Sequence, residues 1–192
     1  MSAPLRRQKI APDRYLEMEI SASAKHEFVD GEIYAMAGAS ERHNRIAGNA
    51  FYAFRSRTAG TACTPYIADM KLRIDATNVF YYPDVMLCCD PTDQDAMFKV
   101  APCVIVEVLS PSTAMTDERE KWAASRHIAG LGYYVLVDSE SMRVTWHERV
   151  GPDEWQTGTL EVEDVVTISC GGTPFPLSLA SLYEGTGLAV SG

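Results

Sequence analysis

No apolar run in this 192-residue sequence approaches the ~20 residues a membrane-spanning helix needs, so no membrane partner is expected. Behind Arg6, Arg7, Lys9 and Arg14 there is no apolar stretch, and hence no expected secretory leader. The five cysteines include no Cys-x-x-Cys pair, and an odd number in a chain this long makes no disulfide framework. Reduced thiols in a cytoplasmic protein are the expectation. A Gly-x-Ser-x-Gly elbow, a Walker loop and a dinucleotide glycine fingerprint are all missing, which removes serine hydrolases and nucleotide-cofactor enzymes. Positive charge is also short. Seventeen Lys and Arg against 26 Asp and Glu leave −9, which disfavours indiscriminate binding to nucleic acid.

What is present fits one α+β domain over residues 1–192, with an ordered core of about 12–187. At 46% apolar and 22% charged the composition is that of a globular chain, able to bury roughly 70% of its unfolded surface. The charge deficit is uneven: residues 1–75 carry 11 basic and 9 acidic side chains, residues 76–192 carry 6 and 17. Pro12 opens a short helix, and Asp30-Gly31 marks a hairpin turn within His26–Met36. Ile46, Ala47, Ala50, Phe51 and Phe54 recur at helical spacing, predicting a helix over Glu41–Arg57 with Ser40 as its cap. Strands are expected over Thr64–Ile74, Val79–Cys89 and Cys103–Leu109. A helix capped by Asp117 and Glu120 is expected over Asp117–Ile128, then a buried strand at Tyr133–Val137. Met142–Ile168 reads as a β-meander, and Pro174–Glu184 as the site of a short closing helix.

Two acids sit where acids are costly. Glu107 interrupts Val104-Ile-Val-Glu-Val-Leu109, a near-continuous apolar run of the kind that fills a strand covered on both faces. Asp84, in Tyr81-Tyr-Pro-Asp-Val85, opens another strand. Taken alone, Asp84 reads as a Pro-Asp turn and Glu107 as half of a buried salt bridge. Taken together on two candidate neighbouring strands, they read as a hard-metal site of carboxylate oxygens.

These residues carry a resemblance. Pro83-Asp84 followed by Glu107 in Ile105-Val-Glu-Val-Leu-Ser-Pro-Ser-Thr113 is similar to the PD-(D/E)XK nuclease superfamily, the restriction-endonuclease-like fold. More narrowly, the chain resembles the Uma-two family of restriction-endonuclease-like proteins. That resemblance also rests on Lys25–Ile33, Ala35–Ser40, His43-Asn44, Asp69–Arg73, Tyr82–Val85, Tyr133–Asp138 and Leu182–Gly185. It implies a mixed β-sheet flanked by helices, with Asp84 and Glu107 binding Mg²⁺ or Mn²⁺, DNA as substrate and a homodimer as the working form. The superfamily's usual basic residue, two positions after the acid, is here Leu109; Lys121 on the following helix matches the lysine this family carries instead. Glu27 matches a recurrent acid of the family's first hairpin, or is an exposed strand residue. His43 lies beside the apolar stripe and reads as a packed histidine. Asp69 either lines the cleft or faces water, and Arg42, Arg45, Arg55 and Arg57 read as phosphate contacts or, more usually, as solvated helix charge. A rival expectation, motivated by the acidic second half and by Leu109, is an inert nuclease-like scaffold that binds a protein or nucleic-acid partner.

Overall fold

Pro12 lacks only an N–H that a first helical turn leaves unused, and helix α1 runs Pro12–Ser21 in the computed structural model, which describes residues 9–110 and 117–189. Strands β1 (His26–Val29) and β2 (Glu32–Ala35) form the expected hairpin. Asp30 and Gly31 both take positive φ, 45° and 92°, as the turn requires. Helix α2 (Glu41–Arg55) starts where the Ser40 hydroxyl accepts the His43 N–H at 3.2 Å. It buries Ile46, Ala47, Ala50 and Phe54.

Two expected strands are each split. Thr64–Ile74 is β3 (Thr64–Ile67) and β4 (Lys71–Ile74), separated at Ala68, which sits in the left-handed region at φ 57°. Val79–Cys89 is β5 (Val79–Tyr81) and β6 (Val85–Cys88). The ladder ends at Pro83 because proline has no N–H to donate. Both breaks send the chain from one sheet to another. A two-residue strand, β7 (Phe98–Lys99), lies between the second and third expected strands, and β8 (Pro102–Leu109) follows. A π-helical turn (Asp117–Lys121) leads into α3 (Trp122–Ser125), so this helix stops short of Ile128. The Asp117 side chain, and with it the expected capping box, lies outside the described residues.

Strands β9 (Tyr133–Asp138), β10 (Val144–Arg149) and β11 (Trp155–Thr159) continue the chain. The expected meander ends there: β12 (Val165–Cys170) pairs instead with β13 (Thr173–Ser178), and helix α4 (Leu179–Leu182) is only four residues long. The strand orders are β2-β1-β5-β4-β7, β11-β10-β9-β8-β6-β3 and β12-β13. The pairs β8–β9 and β4–β7 are parallel and the rest antiparallel, giving mixed sheets flanked by helices.

The six-stranded sheet is covered on both faces, which is why β8 is so apolar. On one face Val85, Leu87, Val104, Val106 and Val108 pack with α2 and β13. On the other, Met86, Ile105, Leu109 and Leu136 pack with Leu72, Ile74, Val79 and Tyr81 of the five-stranded sheet. Beyond these, Tyr15, Phe28 and Phe80 form a small aromatic cluster, with ring centroids 5.2–5.9 Å apart, that pins β1 and α1. Phe28 is fully buried, so Phe28→Ala should cost about 3–5 kcal/mol in a urea titration and loosen the strand that carries Glu27.

The cysteines depart from the expectation of reduced thiols. Cys63 pairs with Cys89 and Cys103 with Cys170, at sequence separations of 26 and 67; Cys88 stays free and buried. Strand ends that meet only in the folded state bring them together, and no local spacing signals that.

Candidate active site

Asp84 and Glu107 become neighbours through strand register. Strands β6 and β8 are antiparallel with Val85 opposite Val106, so one step further Asp84 stands opposite Glu107. The Val108 N–H donates to Asp84 Oδ2 at 2.8 Å, fixing that carboxylate at the break between β5 and β6. Alternation along β8 puts Glu107 on the face shared by Ile105 and Leu109, between the two large sheets, where it is 3% exposed. Leu109 shares that face but packs into the apolar cluster.

Glu27 and Lys121 meet at the same place from other elements. Phe28 pairs with Phe80 across β1 and β5, so Glu27 stands beside Tyr81. Lys121 ends the π-helical turn and is buried. Its ammonium lies 2.8 Å from Glu27 Oε1 and 5.5 Å from the centre of the Tyr81 ring. That Glu27 oxygen is buried, and among the described residues no donor aligns with it as a hydrogen bond. The Lys121 contact is thus a charge pair that leaves lone-pair capacity unused. Tyr81 registers the whole group. Burial first, then the Glu27 charge, pushes its phenol up to about 12; Lys121 opposes this, and Glu120 and Glu107 add to the upward push.

His43, read as a packed histidine, does more than pack. Its Nε2 lies 3.3 Å from Asp84 Oδ2, so α2 reaches the acid pair. Its position three residues before Ile46, on the flank of the stripe, was the one available signal. Asp69 is an exposed side chain paired with Lys25. Arg42 pairs with Glu140 at 2.8 Å and Arg45 with Glu41 at 3.1 Å, so both are engaged with surface acids.

Helix α3 is held by aromatic stacking. Trp122, next to Lys121, stacks on His147 with centroids 4.3 Å apart and 12° between planes. Burial holds the His147 imidazole below its ordinary value of 6.5. The unfolded chain therefore takes up that proton first. Stability should be full above pH ~6.5 and fall as the pH drops below it. Urea midpoints measured across this range should show the slope, and His147→Gln should flatten it.

The donor set suits a hard divalent cation. Asp84 and Glu107 offer only oxygen, and Mg²⁺ is commonly held by one or two carboxylates with water completing its shell. Among the described residues, ligand atoms of three His, Cys, Asp or Glu side chains converge within 4.8 Å at Cys63, Cys89 and Cys170, and no such trio includes Asp84 or Glu107. A cation at the acids would therefore rest on the Asp84–Glu107 pair, with Glu27 committed to Lys121.

The architecture is that of a solved structure described as a "putative nuclease belonging to DUF820" from Anabaena variabilis, with a TM-score of 0.73 over 91% of this chain and 97% of that one. At 16% identity this similarity establishes the fold, a restriction-endonuclease-like core. Residues 12–180 match the model of the Uma2 family, described as "Putative restriction endonuclease", and the chain belongs to that family. Two uncharacterized Synechocystis proteins are similar along their sequences. One, slr1290, is 33% identical over 96% of this chain and 95% of its own length; the other, sll1609, is 35% identical over 73% and 81%.

Proposed function

We propose that this chain is a divalent-metal-dependent endonuclease that hydrolyses phosphodiester bonds in DNA, using Asp84, Glu107, Lys121 and Glu27. The observation that carries the reading is the cross-strand opposition of Asp84 and buried Glu107, beside the Lys121–Glu27 ion pair. Two carboxylates facing one another on neighbouring inner strands are expensive, and a bound cation offsets that cost. Family membership supports phosphodiester hydrolysis as the reaction class. No helix among the described residues is long and apolar enough to cross a membrane.

Asp84 and Glu107 would hold Mg²⁺ or Mn²⁺. When bound, such an ion supplies Lewis-acid polarisation of the scissile phosphoryl group. The chain's own residues do the rest. The Val108 N–H and His43 fix the Asp84 carboxylate so that it need not reorganise. Lys121 brings a positive charge from the helix side to stabilise the charge that develops on the transferring phosphoryl group. Glu27 and the Tyr81 ring both contact the lysine's ammonium and hold it in place. A homodimer would present one such site to each strand of a duplex.

The test is incubation of the purified protein with supercoiled, linear, branched and single-stranded DNA, in Mg²⁺ or Mn²⁺ and in EDTA. Metal-dependent nicking or linearisation is expected. Failure to cut any of these forms with either metal would remove the nuclease reading.

A further inference from the structure

Four of the five cysteines occupy one spot far along the sheet from any carboxylate used above. Cys63 immediately precedes β3, Cys89 immediately follows β6, Cys103 lies near the start of β8, and Cys170 ends β12. Strands β3, β6 and β8 are adjacent in the six-stranded sheet, while β12 belongs to the separate hairpin. The sulfurs therefore join the hairpin to the sheet. They also crowd together across the two pairs: Cys89 Sγ lies 3.0 Å from Cys170 Sγ and 3.6 Å from Cys103 Sγ. Cys63 and Cys170 are buried, and the other two half-buried.

A disulfide needs two sulfurs, and two disulfides need not share a location. Four sulfurs converging from three neighbouring strands and a hairpin make a different kind of centre. Tetrahedral Zn²⁺ with bonds of about 2.3 Å keeps its thiolates about 3.8 Å apart, and the Cys89–Cys170 and Cys89–Cys103 separations fall within an ångström of that, with Cys63 within 4.8 Å of Cys89 and Cys170. The backbone leaves room for the sulfurs. Gly171 follows Cys170 at φ 56°, and a Cβ there would stand 3.0 Å from Cys89 Cβ and 3.1 Å from Cys63 Sγ. Cys88 takes no part: burial pushes its thiol up to about 12, as for an inert core cysteine.

We propose that Cys63, Cys89, Cys103 and Cys170 form, in the reduced chain, a tetrathiolate site for one Zn²⁺ that pins the β12–β13 hairpin to the main sheet. The paired form is its oxidised, metal-free state. Each disulfide takes up two electrons and two protons from a dithiol, which leaves as its own cyclic disulfide, giving four protein thiols. Zinc then displaces four protons from them. In reverse, two molecules of hydrogen peroxide accept four electrons from the four thiolates, forming the two disulfides and four hydroxide ions and releasing Zn²⁺. Soft thiolate donors select Zn²⁺ over the Mg²⁺ suited to the carboxylate site, so the two centres would not compete.

The test uses the whole chain, reduced with a dithiol and desalted in the absence of oxygen. After addition of ZnCl₂ and a second desalting, elemental analysis should find about one zinc per chain. Cobalt in its place should give the sulfur-to-metal charge-transfer band and the intense visible bands of a tetrahedral thiolate site. Zinc should also raise the Tm of the reduced chain, peroxide should release it, and Cys170→Ser should lose most of it. Reduced protein that retains no zinc and shows no sulfur-to-cobalt band would overturn the proposal. Zinc retained undiminished by Cys170→Ser, with circular dichroism showing that variant folded, would do the same. The cobalt spectrum of the unaltered chain decides the matter if the variant does not fold.

Discussion

Glu107→Gln is expected to remove DNA cleavage while leaving the fold as stable as before, or slightly more so, when metal is absent. The substitution keeps the shape and removes a negative charge from a position 3% exposed, opposite a second carboxylate. Relief of that burial and repulsion favours the folded chain. Asp84→Asn should behave in the same way, since the amide oxygen can still accept the Val108 N–H. Changes to residues that only support a metal ligand already cost 10–100-fold, so loss of the ligand itself should exceed about 100-fold in turnover. Plasmid nicking rates, with melting in EDTA as the control, check both variants. A marked drop in Tm in EDTA would make these acids structural.

Lys121→Ala carries the second large effect, and it acts on two quantities. Both members of the Lys121–Glu27 pair are nearly buried, so removing the cation strands a carboxylate whose buried Oε1 has no aligned hydrogen-bond donor among the described residues. Breaking one side of such a pair costs about 3–5 kcal/mol, read from urea denaturation. The double variant Lys121→Ala, Glu27→Gln should recover much of that stability, because the orphaned charge is gone. Turnover should not recover with it. A preorganised group aimed at developing charge contributes about 10²–10³-fold, and the double variant still lacks it. Metal affinity should stay close to that of the parent chain. Cleavage at the parental rate by a folded Lys121→Ala variant would remove the lysine from the mechanism.

How much of this was legible before folding depends on how local the signal was. Asp30-Gly31, the Ser40 cap and the stripe from Ile46 to Phe54 are governed by contacts within a few residues, and the structure follows them closely. Glu107 stood out because a charge inside a doubly covered strand has few bland explanations. The splits at Ala68 and Pro83 were missed because each half still reads as strand; only the choice of sheet changes, and that is decided by distant pairing. Leu109 shares the Glu107 face as alternation requires, yet the apolar cluster claims it, which leaves the basic group to arrive from Lys121. His43 and Asp84 are 41 positions apart in sequence, and no periodicity joins them. The four cysteines are the extreme case, since four strand ends had to converge before any relation among them existed.

Titration calorimetry of Mn²⁺ into the dithiol-treated, zinc-free chain bears on the central claim most directly. Binding of the ion by the unaltered protein, and its loss in both Asp84→Asn and Glu107→Gln, is the predicted result. Binding of equal strength in all three proteins, or no binding in any, would contradict the assignment of a metal-dependent site to these two acids.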